Sequence, residues 1–203
     1  PPGSHVGAPY IPAATRLGDT RLTILTRRRT TPDAAPIALD RDGAQPDPIE
    51  ALPASVGFAA LGISHDLIAA LQAQGITTPF PVQVMTIPDA LAGRDVSGKA
   101  RTGSGKTLAF GLPLIERTTT ARKRRPRSLV LAPTRELAIQ VYESVKTYGK
   151  HIALKPFVVY GGVNINPQIA ELRKGVEILV ATPGRLLDLT GQKAVDLRSV
   201  QVL

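Results

Sequence analysis

The residues with the clearest chemical potential in this chain are Ala100-Arg101-Thr102-Gly103-Ser104-Gly105-Lys106-Thr107. Gly103 and Gly105 let successive backbone N–H groups turn inward on an anion. Lys106 adds a point charge for the outer phosphates, and the Thr107 hydroxyl can hold Mg²⁺. The apolar run Leu108-Ala109-Phe110 follows at once, as a helix's first turns would, and residues 95–97 ahead of the loop read as a short buried strand. Strand, glycine-rich turn and helix start together make a phosphate cradle. Ala100 stands where such loops ordinarily carry their first glycine. The bland alternative is a chance Gly-Lys-Thr in a surface loop.

Elements that could position this cradle follow from the pattern. Residues 56–203 alternate short apolar runs with helical periods: strands over 128–131, 157–160, 176–180 and 200–203, and helices over 65–74, 81–92, 106–117, 134–148, 167–173 and from 185. Ser64 is a candidate N-cap and Gly75 a C-terminal stop for the first helix, and Pro81 starts the second. Continuous apolar strands separated by helices imply an α/β, doubly wound, mostly parallel sheet with ligands at the strand C-terminal ends. Residues 1–55 are rich in Pro, Ala, Thr and Asp without a period, and are expected to form a disordered tail in which Leu22-Thr23-Ile24-Leu25 is at most a transient strand.

At those strand ends lie three further groups of residues. Pro133-Thr134-Arg135-Glu136-Leu137-Ala138 follows the strand at 128–131, Gly161-Gly162 the next, and Thr182-Pro183-Gly184-Arg185 the one after. Backbone N–H groups, a hydroxyl and an arginine at adjacent helix starts suit the successive phosphates of an extended polynucleotide. The competing reading is helix capping by Thr134 and Thr182, with a glycine turn between.

Composition agrees with a polyanionic partner. The net charge of +9 falls entirely on residues 56–203, since residues 1–55 hold six Arg and six acids. Six cations and no acid crowd residues 117–127, either as a solvated loop or as an extra nucleic-acid contact. The chain has no cysteine, which excludes disulfides, thiolate metal sites and Cys nucleophiles, and its three histidines are scattered. No long apolar run or leader-like start is present, so a cytoplasmic location is expected.

Over residues 56–203 the motifs resemble those of the DEAD-box family of ATP-dependent RNA helicases. Gly75 to Gln83 is similar to the family's Q motif, with Phe58 at the upstream aromatic position. Residues 100–107 resemble motif I, in which alanine in first place is usual. Pro133 to Ala138 resembles motif Ia, Gly161-Gly162 the GG motif, and Thr182 to Arg185 motif Ib. The resemblance implies a partial RecA-like first helicase domain that binds ATP and Mg²⁺ together with RNA. Gln83 would read adenine, and Phe58 would pack on the base or serve as ordinary core. Residues 100–107 would hold the phosphates, with Thr107 on the metal. Pro133, Thr134, Arg135, Gly161, Gly162, Thr182, Pro183, Gly184 and Arg185 would grip the RNA backbone without reading its sequence.

The family's Asp-Glu-Ala-Asp and Ser-Ala-Thr motifs and its second RecA-like domain do not occur within the 203 residues, and Asp95 reads as structural. The resemblance therefore implies that this stretch contains no catalytic residue and turns over no ATP by itself. It also implies that the phosphate-loop strand and the strand beginning at 200 lack the neighbour that lies between them in RecA-like sheets. That would leave exposed edges and marginal stability. Two other readings remain: a different P-loop nucleic-acid motor, or a non-catalytic RNA-binding module with a vestigial nucleotide site.

Overall fold

The computed structural model describes residues 20–24, 56–118, 125–152 and 154–203. Most of the region read as a disordered tail, and residues 119–124 of the basic loop, lie outside the described residues. The elements are β1 (Thr20–Ile24), α1 (His65–Gln72), α2 (Pro81–Leu91), β2 (Val96–Ala100), α3 (Lys106–Arg117) and β3 (Ser128–Leu131). They continue with α4 (Arg135–Tyr148), β4 (Pro156–Val159), α5 (Ile165–Lys174), β5 (Ile178–Ala181) and α6 (Pro183–Gly191).

Three strands form a parallel sheet in the order β3-β5-β4, with Ser128 and Pro156 both level with Ile178. The central strand β5 is buried throughout, as a strand covered on both faces must be. Its side chains alternate between two cores. Ile178 and Val180 pack with Leu112, Ile115, Ala138 and Val145 on one side. Leu179 and Ala181 pack with Leu172, Leu186 and Leu189 on the other. This two-sided burial is the doubly wound α/β arrangement that the apolar runs imply. Each fully buried Leu or Ile contributes on the order of 1.5–3 kcal/mol.

Element boundaries follow local chemistry. Gly75 stands at φ +75° just beyond α1, where the Ile76 N–H returns to the Leu71 carbonyl, so the glycine stop is realised. Ser64 holds the N-cap position of α1, yet its hydroxyl makes no capping bond; its N–H donates to Glu116 Oε1 at 2.6 Å, tying α1 to α3. Helix α5 starts earlier than its apolar period suggests because Asn164 Oδ1 accepts from the Asn166 N–H. Pro183 takes the first position of α6, where its missing N–H costs nothing.

Three features depart from expectation. Strand β2, expected as a short buried strand, has no buried residue and alternates half-buried with exposed positions. The segment Thr20–Ile24, assigned to the disordered tail, is strand β1 and pairs antiparallel with β2 in the register Thr20↔Ala100 through Ile24↔Val96. An unpaired row of β2 backbone groups is a template for any extended segment, which is why so short a run can hold a strand there. The strand expected over 200–203 is reduced to a parallel bridge between Val202 and Ser128, with the Leu129 N–H donating to the Val202 carbonyl at 3.0 Å. Among the described residues β2 has no hydrogen-bonded neighbour in the parallel sheet.

Candidate functional site

The phosphate loop leaves β2 at Ala100 and enters α3 at Lys106. Gly103 and Gly105 both sit at φ +83°, in the left-handed region that side-chain-bearing residues avoid. A Cβ on Gly105 would run into Gln83 Nε2 and the Phe80 ring, whereas one on Gly103 would meet nothing within 4 Å. Gly105 is thus fixed twice, by backbone conformation and by its neighbours. Helix α3 presents its first N–H groups and its positive dipole end to the loop. Arg101, Thr102 and Gly103 are exposed, and Ser104 through Thr107 half-buried.

Lys106 folds back on this loop. Its Nζ donates to the Ala100 carbonyl and, at 2.7 Å, to the Arg101 carbonyl. An ammonium carries three donors, so the loop's own oxygens occupy two of them. Behind the loop lies Gln83, with no exposed surface. Its Oε1 accepts from the Phe80 N–H at 2.9 Å, and its Nε2 donates to the Gly105 carbonyl at 3.0 Å. Both ends of the amide are therefore engaged by protein, linking the start of α2 to the bend of the phosphate loop.

Phe58 is 3% exposed and packs in the main core with Leu61 and Leu67. The aromatic ring that is accessible beside the loop is Phe80, at 51% exposure. Sequence reading passed over Phe80, although its place between Pro79 and Pro81, one residue ahead of a helix, signals an extended and outward-facing position.

At the C-terminal ends of β3, β4 and β5 the other three groups line up as expected. Because β5 lies between β3 and β4, the turn at Thr182 is flanked by those at Pro133 and Gly161, on neighbours about 4.8 Å apart. Pro133, Thr134, Arg135, Gly161, Gly162, Pro183 and Gly184 are exposed. The capping alternative is realised for Thr134, whose Oγ1 accepts from the Leu137 N–H at 3.3 Å, but not for Thr182, whose side chain makes no cap bond. Gly162 stands at φ +79°. Arg135 lies over the Tyr160 ring, 4.6 Å from its centroid, so the residue between the end of β4 and Gly161 joins the row. Tyr160 was not singled out in the sequence because nothing local marks it.

Arg185 departs from the row. It is 9% exposed and directs Nη2 onto the Val163 carbonyl at 2.9 Å. The basic stretch 117–127 is tethered where it is described: Arg117 Nη1 donates to the Ala90 carbonyl and Arg125 Nε pairs with Asp196 Oδ2 at 3.0 Å. Arg198 hydrogen-bonds to Asp196 and keeps its carboxyl well below the usual range, with Arg125 adding to the effect. Among the described residues no group of three or more His, Cys, Asp or Glu could hold a metal ion. No described helix is long and apolar enough to cross a membrane.

The geometry above matches one family. The family model for DEAD/DEAH box helicases matches residues 80–203, and the chain belongs to that family. It is 44% identical over 146 residues to the DEAD-box ATP-dependent RNA helicase CshA of Bacillus cereus (strain ATCC 10987 / NRS 248), covering 72% of this chain and 28% of that protein. CshA of Streptococcus pneumoniae serotype 4 is 46% identical over the same length. A solved structure of a DEAD box protein from Methanococcus jannaschii superposes with a TM-score of 0.64 at 35% identity, covering 71% of this chain and 39% of that one. The sheet and its helices are those of an incomplete RecA-like fold. The chain spans under a third of the length of these curated relatives.

Proposed function

We propose that this chain is the ATP- and RNA-binding part of an ATP-dependent RNA helicase that couples ATP hydrolysis to RNA duplex unwinding or remodelling. The observation that carries the reading is the loop at the mouth of α3, with left-handed glycines at 103 and 105 and Lys106 Nζ turned back onto the Ala100 and Arg101 carbonyls. Phosphate oxygens are stronger acceptors for an ammonium than carbonyls, so β- and γ-phosphates would exchange for the Ala100 and Arg101 oxygens. Residues 100–107 then form the phosphate site.

Mg²⁺ fits this loop only as an ion held chiefly by phosphate oxygens and water, with the Thr107 hydroxyl as its protein ligand. The loop's residues bind and orient the nucleotide, and among the described residues we assign none as a base for the attacking water. Asp95 precedes β2 and is separated from the loop by the strand's length, about 16 Å. We therefore expect the 203-residue chain to bind ATP without turning it over. Adenine recognition by Gln83 would require its buried amide to become accessible, since Oε1 and Nε2 each keep one free position beyond the bonds to Phe80 and Gly105. Phe58 supports the site from within the core.

The row of backbone and hydroxyl groups at Pro133, Thr134, Arg135, Gly161, Gly162, Pro183 and Gly184, all exposed, with half-buried Thr182, is proposed to hold the RNA backbone. Such contacts carry no sequence information. A cytoplasmic site of action fits this reading. The test is calorimetric titration of ATP with Mg²⁺ into the chain and its Lys106→Ala variant, beside anisotropy of labelled RNAs of unrelated sequence. Loss of ATP binding in the variant, with equal affinity for each RNA, is expected. The engaged Gln83 favours one other reading, a non-catalytic RNA-binding module with a vestigial nucleotide site. Equal ATP affinity in the wild type and Lys106→Ala would select it.

A further inference from the structure

We infer that Arg185 is a positioning residue: it locks the Gly161-Gly162 turn to the start of α6 rather than contacting RNA itself. This rests on the RNA-binding reading above and assigns the work within that face. A phosphate ligand must present its cation to solvent, but Arg185 is 9% exposed, and its Nε and Nη1 are buried without a hydrogen-bond partner. Its Nη2 donates to the Val163 carbonyl at 2.9 Å. The nearest acid, Asp188 Oδ2, lies 3.9 Å from Nε, too far for a hydrogen bond.

What Arg185 holds is the exit of a turn that needs holding. Gly162 is at φ +79°, and Gly161 through Asn164 are exposed, so little packing fixes them. The entrance of the turn is pinned at Tyr160, whose carbonyl accepts from Gln168 Nε2 at 3.2 Å and whose ring lies under Arg135. The exit is pinned by Arg185 from α6, the helix that begins Thr182-Pro183-Gly184. One side chain therefore fixes two of the proposed backbone-gripping turns relative to each other. Two buried nitrogens with unpaired N–H groups weigh against the fold, and an apolar side chain of similar volume would avoid them. A donor strong enough to grip a carbonyl from inside accounts for a cation here.

The test uses the 203-residue chain with Arg185→Met and Arg185→Lys. Amide hydrogen exchange at residues 161–163 and the affinity for a single-stranded RNA across a salt series are measured. For Arg185→Met we expect exchange and RNA dissociation constant each to rise about tenfold, the effect of one charge-assisted hydrogen bond, with an unchanged salt slope. Arg185→Lys, which can still donate to the Val163 carbonyl, should recover part of both. A slope reduced by about 0.7 with unchanged exchange would mark Arg185 as a phosphate contact and overturn the inference. Unchanged exchange and affinity would reduce it to a packing residue and overturn it equally. If Arg185→Met fails to fold, Arg185→Lys decides by the same readouts. If the wild-type chain binds no RNA, the RNA-binding reading fails, and exchange at 161–163 alone decides whether Arg185 holds the turn.

Discussion

The phosphate loop and the row of turns over β3, β5 and β4 are both glycine-rich strand ends, yet they are built in opposite ways. In the loop, the groups with the most to offer a ligand are engaged by one another: Lys106 on the Ala100 and Arg101 carbonyls, Gln83 on Phe80 and Gly105. In the row, side chains such as Arg135 and Arg185 brace the turns from beside and below, and backbone is left exposed above. The loop must rearrange to bind, while the row is ready-made. That difference suits a transient, exchangeable ligand at one site and an extended one, recognised by shape, at the other.

The largest effect expected is on the loop. Lys106→Ala should weaken ATP binding about 100-fold, the worth of a charge-assisted contact to phosphate, with little change in melting temperature. Its two bonds to carbonyls are partly exposed and water can replace them. A large drop in melting temperature would mean that Lys106 is a structural brace, and the contrast with the row would vanish.

Gly105→Ala should follow, with a loss of roughly 2–4 kcal/mol in chemical denaturation: a left-handed backbone penalty plus the collision with Gln83 and Phe80. Gly103→Ala carries the same φ but meets no neighbour, so about 1–2 kcal/mol is expected. The difference between the two isolates the combined Gln83 and Phe80 contact. Equal losses would show that these two side chains do not restrain the loop.

These two glycines also mark the limit of what the sequence makes legible. Residues 100–107 announce their chemistry by type and spacing, and β3 to α6 by an alternation that only a covered parallel sheet explains. What no local pattern encodes is which partner satisfies each polar group. Gln83 has the residue type to read a base, but burial and two neighbouring backbone groups decide what it touches in this structure. Arg185 has the type to bind phosphate, but the turn after β4, some twenty residues away in sequence, captures it. Strand β1 escapes the sequence for a related reason. Its stability comes from the edge of β2 and not from its own residues, and an edge leaves no periodic signature in the segment that pairs with it.

Phe58 tests the boundary between core and site. Its burial at 3% predicts that Phe58→Leu lowers stability by about 1 kcal/mol, as a near volume-conserving core change does, and leaves ATP affinity unaltered. A several-fold loss of ATP affinity at unchanged stability would return the ring to the base-binding role that the resemblance implies. The region around the loop would then extend inward to Phe58.

The smallest effect belongs to the row and is the most discriminating. Gly161 has no positive φ, and a Cβ placed on it would meet no atom within 4 Å, so nothing in the protein requires glycine there. Its usefulness lies outside the chain, in letting a ligand approach the backbone closely. Gly161→Ala should therefore leave the melting temperature unchanged or slightly raised, because alanine reduces the freedom of the unfolded chain. RNA affinity should fall about fivefold, or ~1 kcal/mol, as the added methyl holds the phosphates off. Its neighbour Gly162, at φ +79°, is the internal control: alanine there strains the turn and lowers stability as well as affinity. Should Gly161→Ala bind RNA as the wild type does, the turn would be a linker between β4 and α5. The exposed half of the comparison would then rest on the helix starts at Thr134 and Thr182.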